Sequence, residues 1–324
     1  MNELLRTIAW IFVHPTERRL RAPYRMFVLL LVIAVAAIPT MVFAGLAHLS
    51  GIAAALTLNF VVLLPAILLV AWLVDRRRLA ELGVPTTPRA ALGLLWGAVL
   101  GAGLIGAVAS IEHSCGWARY EWLGPSPGAL TLSLALFAMV AVHEELLFRG
   151  YLLTNLAEGL GGTPTTRVLA LVAATVLTSF GFALAHLFNP NPSVLAMTNI
   201  GLAGIFLALP FVLRGDLGAS IGLHFGWNLM QCWLGMAVSG NEVEGAWVRR
   251  TILPGNDLWT GGAFGAEGGV LGLGAVVIGT LVSIPLALSL RDPSRSQAMG
   301  LPPASRATPK AGPGAPIAAP ELGG

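Results

Sequence analysis

Long apolar runs separated by short polar, glycine- or proline-bearing stretches set the pattern of this chain. A helix needs about 20 mostly apolar residues to cross a bilayer. Eight stretches meet that requirement: 25–47, 52–74, 90–111, 127–147, 168–188, 194–213, 217–238 and 268–290. The fourth keeps a helical pattern to 158, past the bilayer edge. The pattern therefore predicts an all-α fold, a polytopic bundle of about eight transmembrane helices, spanning 25–290. Ahead of it, 1–24 reads as a cytoplasmic segment. Leu4, Leu5, Ile8, Ile11 and Phe12 fall near one helical stripe there, ending before Pro15. That stripe suits a helix lying on the membrane surface, a frayed terminus being the alternative. Behind it, 291–324 is rich in Pro, Ala, Gly and Ser and reads as a disordered cytoplasmic tail.

Composition narrows the class further. Of 324 residues, 56% are hydrophobic and 11% charged, with a mean hydropathy of +0.77. A soluble domain carries about 25% charge, so an ordinary cytosolic enzyme is excluded. Two cysteines, Cys115 and Cys232, are too few for a disulfide scaffold or a Cys-based zinc cluster. The net charge of +3 does not signal nucleic acid, because its placement follows membrane topology. Arg6, Arg18, Arg19, Arg21 and Arg25 precede the first span, and Arg76, Arg77, Arg78 and Arg89 separate the second from the third. Arg149 and Arg167 fall between spans four and five, Arg214 between six and seven, and Arg291, Arg295, Arg306 and Lys310 follow the eighth. Only Arg119, Arg249 and Arg250 fall in the opposite loops, so 16 of 19 cations share one side. The positive-inside rule then makes both termini cytoplasmic, in a protein of the cell (inner) membrane. The loop 239–267 carries Trp247 and Trp259, residue types that suit the membrane interface.

Titratable side chains at membrane depth are costly and call for a reason. Three clusters stand out: His143-Glu144-Glu145-Leu-Leu-Phe-Arg149, Phe182-Ala-Leu-Ala-His186 and His224-Phe-Gly-Trp-Asn228. Glu145 and Arg149, four apart, meet on one helical face and neutralise each other. Glu144 points about 100° away and has no partner on its own helix. This divides the cluster into a structural pair, Glu145–Arg149, and a working carboxylate, Glu144. A zinc-protease HExxH motif fails here, since position 147 is leucine. His224 and Asn228 share a helical face, while Gly218, Gly222 and Gly226 form a separate stripe that lets helices approach closely. Gly93, Gly97 and Gly101 repeat that spacing on the third span. A carboxylate, two imidazoles and a carboxamide on three apolar helices point to one internal polar cavity. Their depths agree only if the hairpin between spans four and five projects from the membrane, or if helices tilt or break, as Asn189-Pro190-Asn191-Pro192 permits.

The order EExxxR, FxxxH, HxxxN on hydrophobic helices resembles the CPBP family of CAAX proteases and bacteriocin-processing enzymes, also called Abi, relatives of the type II CAAX prenyl endopeptidase. The resemblance covers 143–228; the flanks match only as generic membrane helices. It implies an intramembrane endopeptidase acting on a peptide or membrane-protein substrate, cut from the cytoplasmic side. Glu144 would be the catalytic carboxylate and His186 would help to activate water. His224 and Asn228 would stabilise the oxyanion, and Glu145 and Arg149 would support the site. It leaves metal chemistry open: a divalent ion such as zinc would be held by Glu144, His186 and His224, and a metal-free mechanism uses the same residues. A non-catalytic membrane scaffold of the same fold and, for lack of inverted repeats, more remotely a proton-coupled transporter are the alternatives.

Overall fold

The computed structural model describes residues 11–13, 19–49, 51–161 and 164–291. Most of the expected surface helix at 2–13 and nearly all of the expected tail at 291–324 lie outside the described residues. Helix α1 spans Ala22–Leu46. Helix α2 (Gly51–Leu58) passes through a π turn (Asn59–Leu63) into α3 (Leu64–Leu73). Helix α4 covers Pro88–Ser114, and strand β1 Ala118–Trp122. Helix α5 (Pro127–Glu145) continues through a π segment (Leu146–Leu153) into α6 (Thr154–Leu160). Then come α7 (Pro164–Ala185), α8 (Val194–Arg214), α9 (Gly218–Trp233), strand β2 (Val248–Ile252), the short α10 (Asp257–Thr260) and α11 (Val270–Ser289).

Local chemistry sets several of these boundaries. Helix α4 starts where Pro88 follows Thr87, whose hydroxyl accepts from the Ala90 amide at 3.2 Å. Ser193 caps α8 in the same way, accepting from Ala196 at 3.0 Å. Gly215, at φ 78°, ends α8 in the left-handed conformation that glycine tolerates.

Among the described residues, seven segments are long and apolar enough to cross a membrane, and the protein is a polytopic helical bundle. Exposed Ile38, Leu46, Val61, Trp72, Leu169 and Leu281 present apolar flanks that water would penalise and lipid does not. Of the eight expected spans, the seventh is corrected. In place of 217–238, α9 has 16 residues, a rise of about 24 Å. Most of its residues are buried against neighbouring helices, so its length need not match the lipid thickness. Its Ser220, His224, Asn228 and Gln231 also keep it from reading as a lipid-facing helix.

Helices α4 and α9 meet along their two glycine stripes. A Cβ on Gly97 or Gly101 would overlap the carbonyl oxygens of Ala219 and Leu223. One on Gly218, Gly222 or Gly226 would overlap those of Ala90, Leu94 and Ala98. Each stripe is the other's partner within one chain.

Contacts also place the ends of the bundle. Arg25, at the start of α1, pairs with Asp75 just after α3 at 3.0 Å. A groove is lined by Leu92 near the start of α4 and by Leu286 and Leu290 at the end of α11. Residues 21 and 291 therefore lie at one end of the molecule. At that end Leu217 N donates to Gly83 O at 2.7 Å, and Gly150 sits against the Leu82 carbonyl, which levels the start of α9 with Gly150. Eight residues further on, Glu158 meets Arg19, Arg25 and Arg77. The α6–α7 hairpin thus extends about 12 Å past the start of α9.

The opposite end carries a feature the helical pattern does not foresee. Strands β1 and β2 form an antiparallel pair, with Tyr120 opposite Arg250. Buried Glu112, at the end of α4, accepts from Arg250 at 2.7 and 2.9 Å and from the Tyr120 hydroxyl at 2.5 Å. Burial, followed by this bond to Glu112, pushes the Tyr120 phenol well above its ordinary value.

Candidate active site

Helix α5 delivers His143, Glu144 and Glu145 just before its backbone widens into the π segment. Such local widening recurs at functional sites because it re-aims neighbouring side chains. Glu145 is fully buried and its Oε1 is shared. Arg149 Nη1 donates to it at 2.7 Å, and His224 Nδ1 lies 2.9 Å away. The other arm of Arg149 donates to the Gly204 carbonyl at 3.0 Å, and its guanidinium carbon lies 4.6 Å from the centre of the Phe182 ring. The i,i+4 pair expected from EExxxR is present, and it fastens three helices together.

Glu144 turns the other way. Its Oε2 lies 3.8 Å from His224 Nε2 and its Oε1 4.0 Å from His143 Nε2, both too long for hydrogen bonds. Oε2 is buried and has no hydrogen-bond partner among the described residues.

The histidines have fixed tautomers. His186 lies one residue past the end of α7, not inside a span reaching 188 as expected. Its Nδ1 is 2.8 Å from the Phe182 carbonyl. A carbonyl only accepts, so Nδ1 carries the hydrogen and Nε2 is left with a lone pair when the ring is neutral. The ring packs against Phe182 at 4.7 Å. This is what the FxxxH spacing does: Phe182 supplies the carbonyl and the platform. His143 is held likewise, 3.1 Å from the Met139 carbonyl. His224 has Nδ1 on Glu145, leaving Nε2 facing Glu144.

Glu144, His186, His224 and Asn228 all line one cavity of about 670 Å³. Asn228 is buried, and its carboxamide makes no hydrogen bond among the described residues. Glu145 and Arg149 do not line the cavity; they lie behind it, against His224 and Phe182. The remaining wall is apolar, with Ala55, Leu136, Phe137 and Val140 on one flank. The helices meet at the common depth that the hairpin projection makes possible.

One buried group went unread in the sequence. Glu267 lines the cavity, accepting from Trp227 Nε1 at 2.9 Å and from the Ser239 amide and hydroxyl, both at 2.8 Å. Asn199 holds the Glu267 and Gly269 carbonyls at 2.9 and 3.0 Å, and Asn189 donates to the Ser239 carbonyl at 2.8 Å. Together they fix a strap, residues 238–244, across the cavity. The only signal for Glu267 was a carboxylate just before an apolar run, with no motif around it.

Among the described residues, no group of three or more His, Cys, Asp or Glu side chains is arranged to hold a metal ion.

No curated protein and no solved structure matches the chain. Residues 126–230, which carry all three motifs, match the family described as type II CAAX prenyl endopeptidase Rce1-like. Over this segment, about a third of its length, the chain is similar to that family.

Proposed function

We propose that this membrane protein is an intramembrane endopeptidase whose chemistry is carried by Glu144, His186, His224 and Asn228. The observation that carries the reading is that these four groups, drawn from three motifs, face one cavity while the neighbouring charged pair is tied off behind it. Hydrolysis inside a bilayer needs a polar hollow that admits water and walls that hold a peptide. The apolar flank at Leu136, Phe137 and Val140 suits a substrate side chain.

In this reading a water molecule sits between the free Glu144 carboxylate oxygen and His186 Nε2. Glu144 takes one proton as the water oxygen attacks the peptide carbonyl carbon. The carbonyl oxygen becomes an oxyanion, stabilised by the Asn228 amide N–H and by His224. Because His224 Nδ1 donates to Glu145, its Nε2 can donate only when the ring is protonated, and the two flanking carboxylates favour that form. The C–N bond then breaks, and the proton held by Glu144 passes to the leaving amine. The products are one carboxylic acid and one amine, with water the only other reactant; the acid then gives up its proton to solvent.

Glu144→Gln tests this. It keeps size and polarity but cannot accept the proton. The expected outcome is loss of peptide hydrolysis by at least about 100-fold, with thermal unfolding in detergent unchanged. Retained cleavage in the purified variant would overturn the assignment of Glu144 as the catalytic carboxylate.

A further inference from the structure

The mouth of the cavity belongs to one end of the bundle. It is lined by Gly51, where α2 begins, by Asn189, just beyond α7, and by Asn241–Glu244, between α9 and β2. Asn241, Glu242 and Glu244 are solvent-exposed. This is the end that carries the β1–β2 strand pair. Toward the other end Arg149, Tyr151 and Leu153, between α5 and α6, and Leu217, just before α9, are each buried to within 1%.

The two ends differ in cations. Arg21, Arg76, Arg77, Arg78, Arg89 and Arg291 lie at the end where α1 and α4 begin and α11 finishes. The β1–β2 end has Arg119, Arg249 and Arg250. Segments this short next to span ends orient by their Lys and Arg content, whatever acids they pair with. Trp122 and Trp259 are exposed at the β1–β2 end and give it an aromatic edge suited to a lipid–water interface.

We infer that the cavity opens on the non-cytoplasmic face of the membrane, so that the peptide or membrane-protein segments it takes are those presented outside the cytoplasm. The side follows from the arginines and from the position of the mouth; that the occupant is a peptide rests on the hydrolytic reading above. This reverses the cytoplasmic access expected from the sequence. There the motifs were placed by depth alone, and Asn241–Glu244 had no known relation to them.

Cysteine labelling of the full chain in sealed, right-side-out membrane vesicles tests the inference. Exposed Cys115 is first replaced by serine, and buried Cys232 is kept. A membrane-impermeant maleimide is expected to label Glu242→Cys as fully before permeabilisation as after it. Arg78→Cys and Arg89→Cys, both at exposed positions, should label only after permeabilisation. Protection of Glu242→Cys from outside, or equal external labelling of all three, would overturn the inference. Labelling needs no turnover, so this result is independent of whether Glu144→Gln abolishes hydrolysis. Two arginine-end variants guard against one failing to fold.

Discussion

Two adjacent glutamates in this protein have opposite surroundings. Glu145 spends its buried Oε1 on Arg149 and His224, whereas Glu144 keeps an oxygen with no hydrogen-bond partner among the described residues. The first relation was legible: residues four apart on a helix face each other, so EExxxR dictates the pair before any coordinates are seen. The bond from Glu145 to His224 was not legible, because 79 residues separate them and only the packed bundle sets their distance. The pair makes a prediction about stability. Truncating Arg149 leaves the Glu145 carboxylate in an apolar interior and also frees the Gly204 carbonyl. Arg149→Ala should therefore cost about 3–5 kcal/mol, read as a large drop in unfolding temperature or midpoint in detergent. Arg149→Lys should recover only part of this, since an ammonium cannot reach both oxygens as a planar fork does. If Arg149→Ala unfolded like the unmodified protein, the pair would not be what holds α5, α8 and α9 together.

Between elements, the seam of α4 and α9 decides where His224 and Asn228 stand. Both glycine stripes are visible in the sequence as small residues every fourth position, but a stripe does not name its partner. Only the fold shows the two facing each other, and that α9 is a short helix enclosed by others. Close approach leaves no room for a methyl group where the opposing atom is a backbone carbonyl, which cannot rotate away. Gly222→Ala and Gly226→Ala should each destabilise the protein by about 1–3 kcal/mol and tilt the HxxxN face. Gly103→Ala, on the same α4 with no described atom within 4 Å, should be neutral or gain about 0.5–1 kcal/mol from helix propensity. Equal unfolding midpoints for the three variants would show that the seam is not close-packed. The strand pair at the cavity end is not legible for a related reason: Glu121, Arg249 and Arg250 read as a polar loop until β1 and β2 pair and Glu112 takes up Arg250.

At the scale of the whole molecule the cavity is a joint product of segments that no local pattern links. Helices α5, α7 and α9 bring the motif residues, and the strap at 238–244 closes over them, held from a carboxylate nearly thirty positions away. The strap has almost no regular structure of its own. Val238 and Asn241 bridge to each other, and Ser239 and Gly240 sit at positive φ, so its order depends on outside anchors. Glu267 is the strongest of these, because one carboxylate oxygen takes both the amide and the hydroxyl of Ser239. Gly240, donating to the Phe264 carbonyl at 2.9 Å, is a second anchor that does not involve that side chain. Glu267→Ala should thus loosen the strap without unfolding the bundle. The Ser239 amide should lose about 1.5–3 kcal/mol of protection, which is about ten- to a hundredfold faster hydrogen exchange. Amides of α5 around Glu144, which do not touch Glu267, should exchange as before. Unchanged exchange at Ser239 would mean that the loop backbone alone sets the strap, whereas accelerated exchange throughout α5 and α9 would mean that Glu267 supports the bundle rather than the cavity's cover.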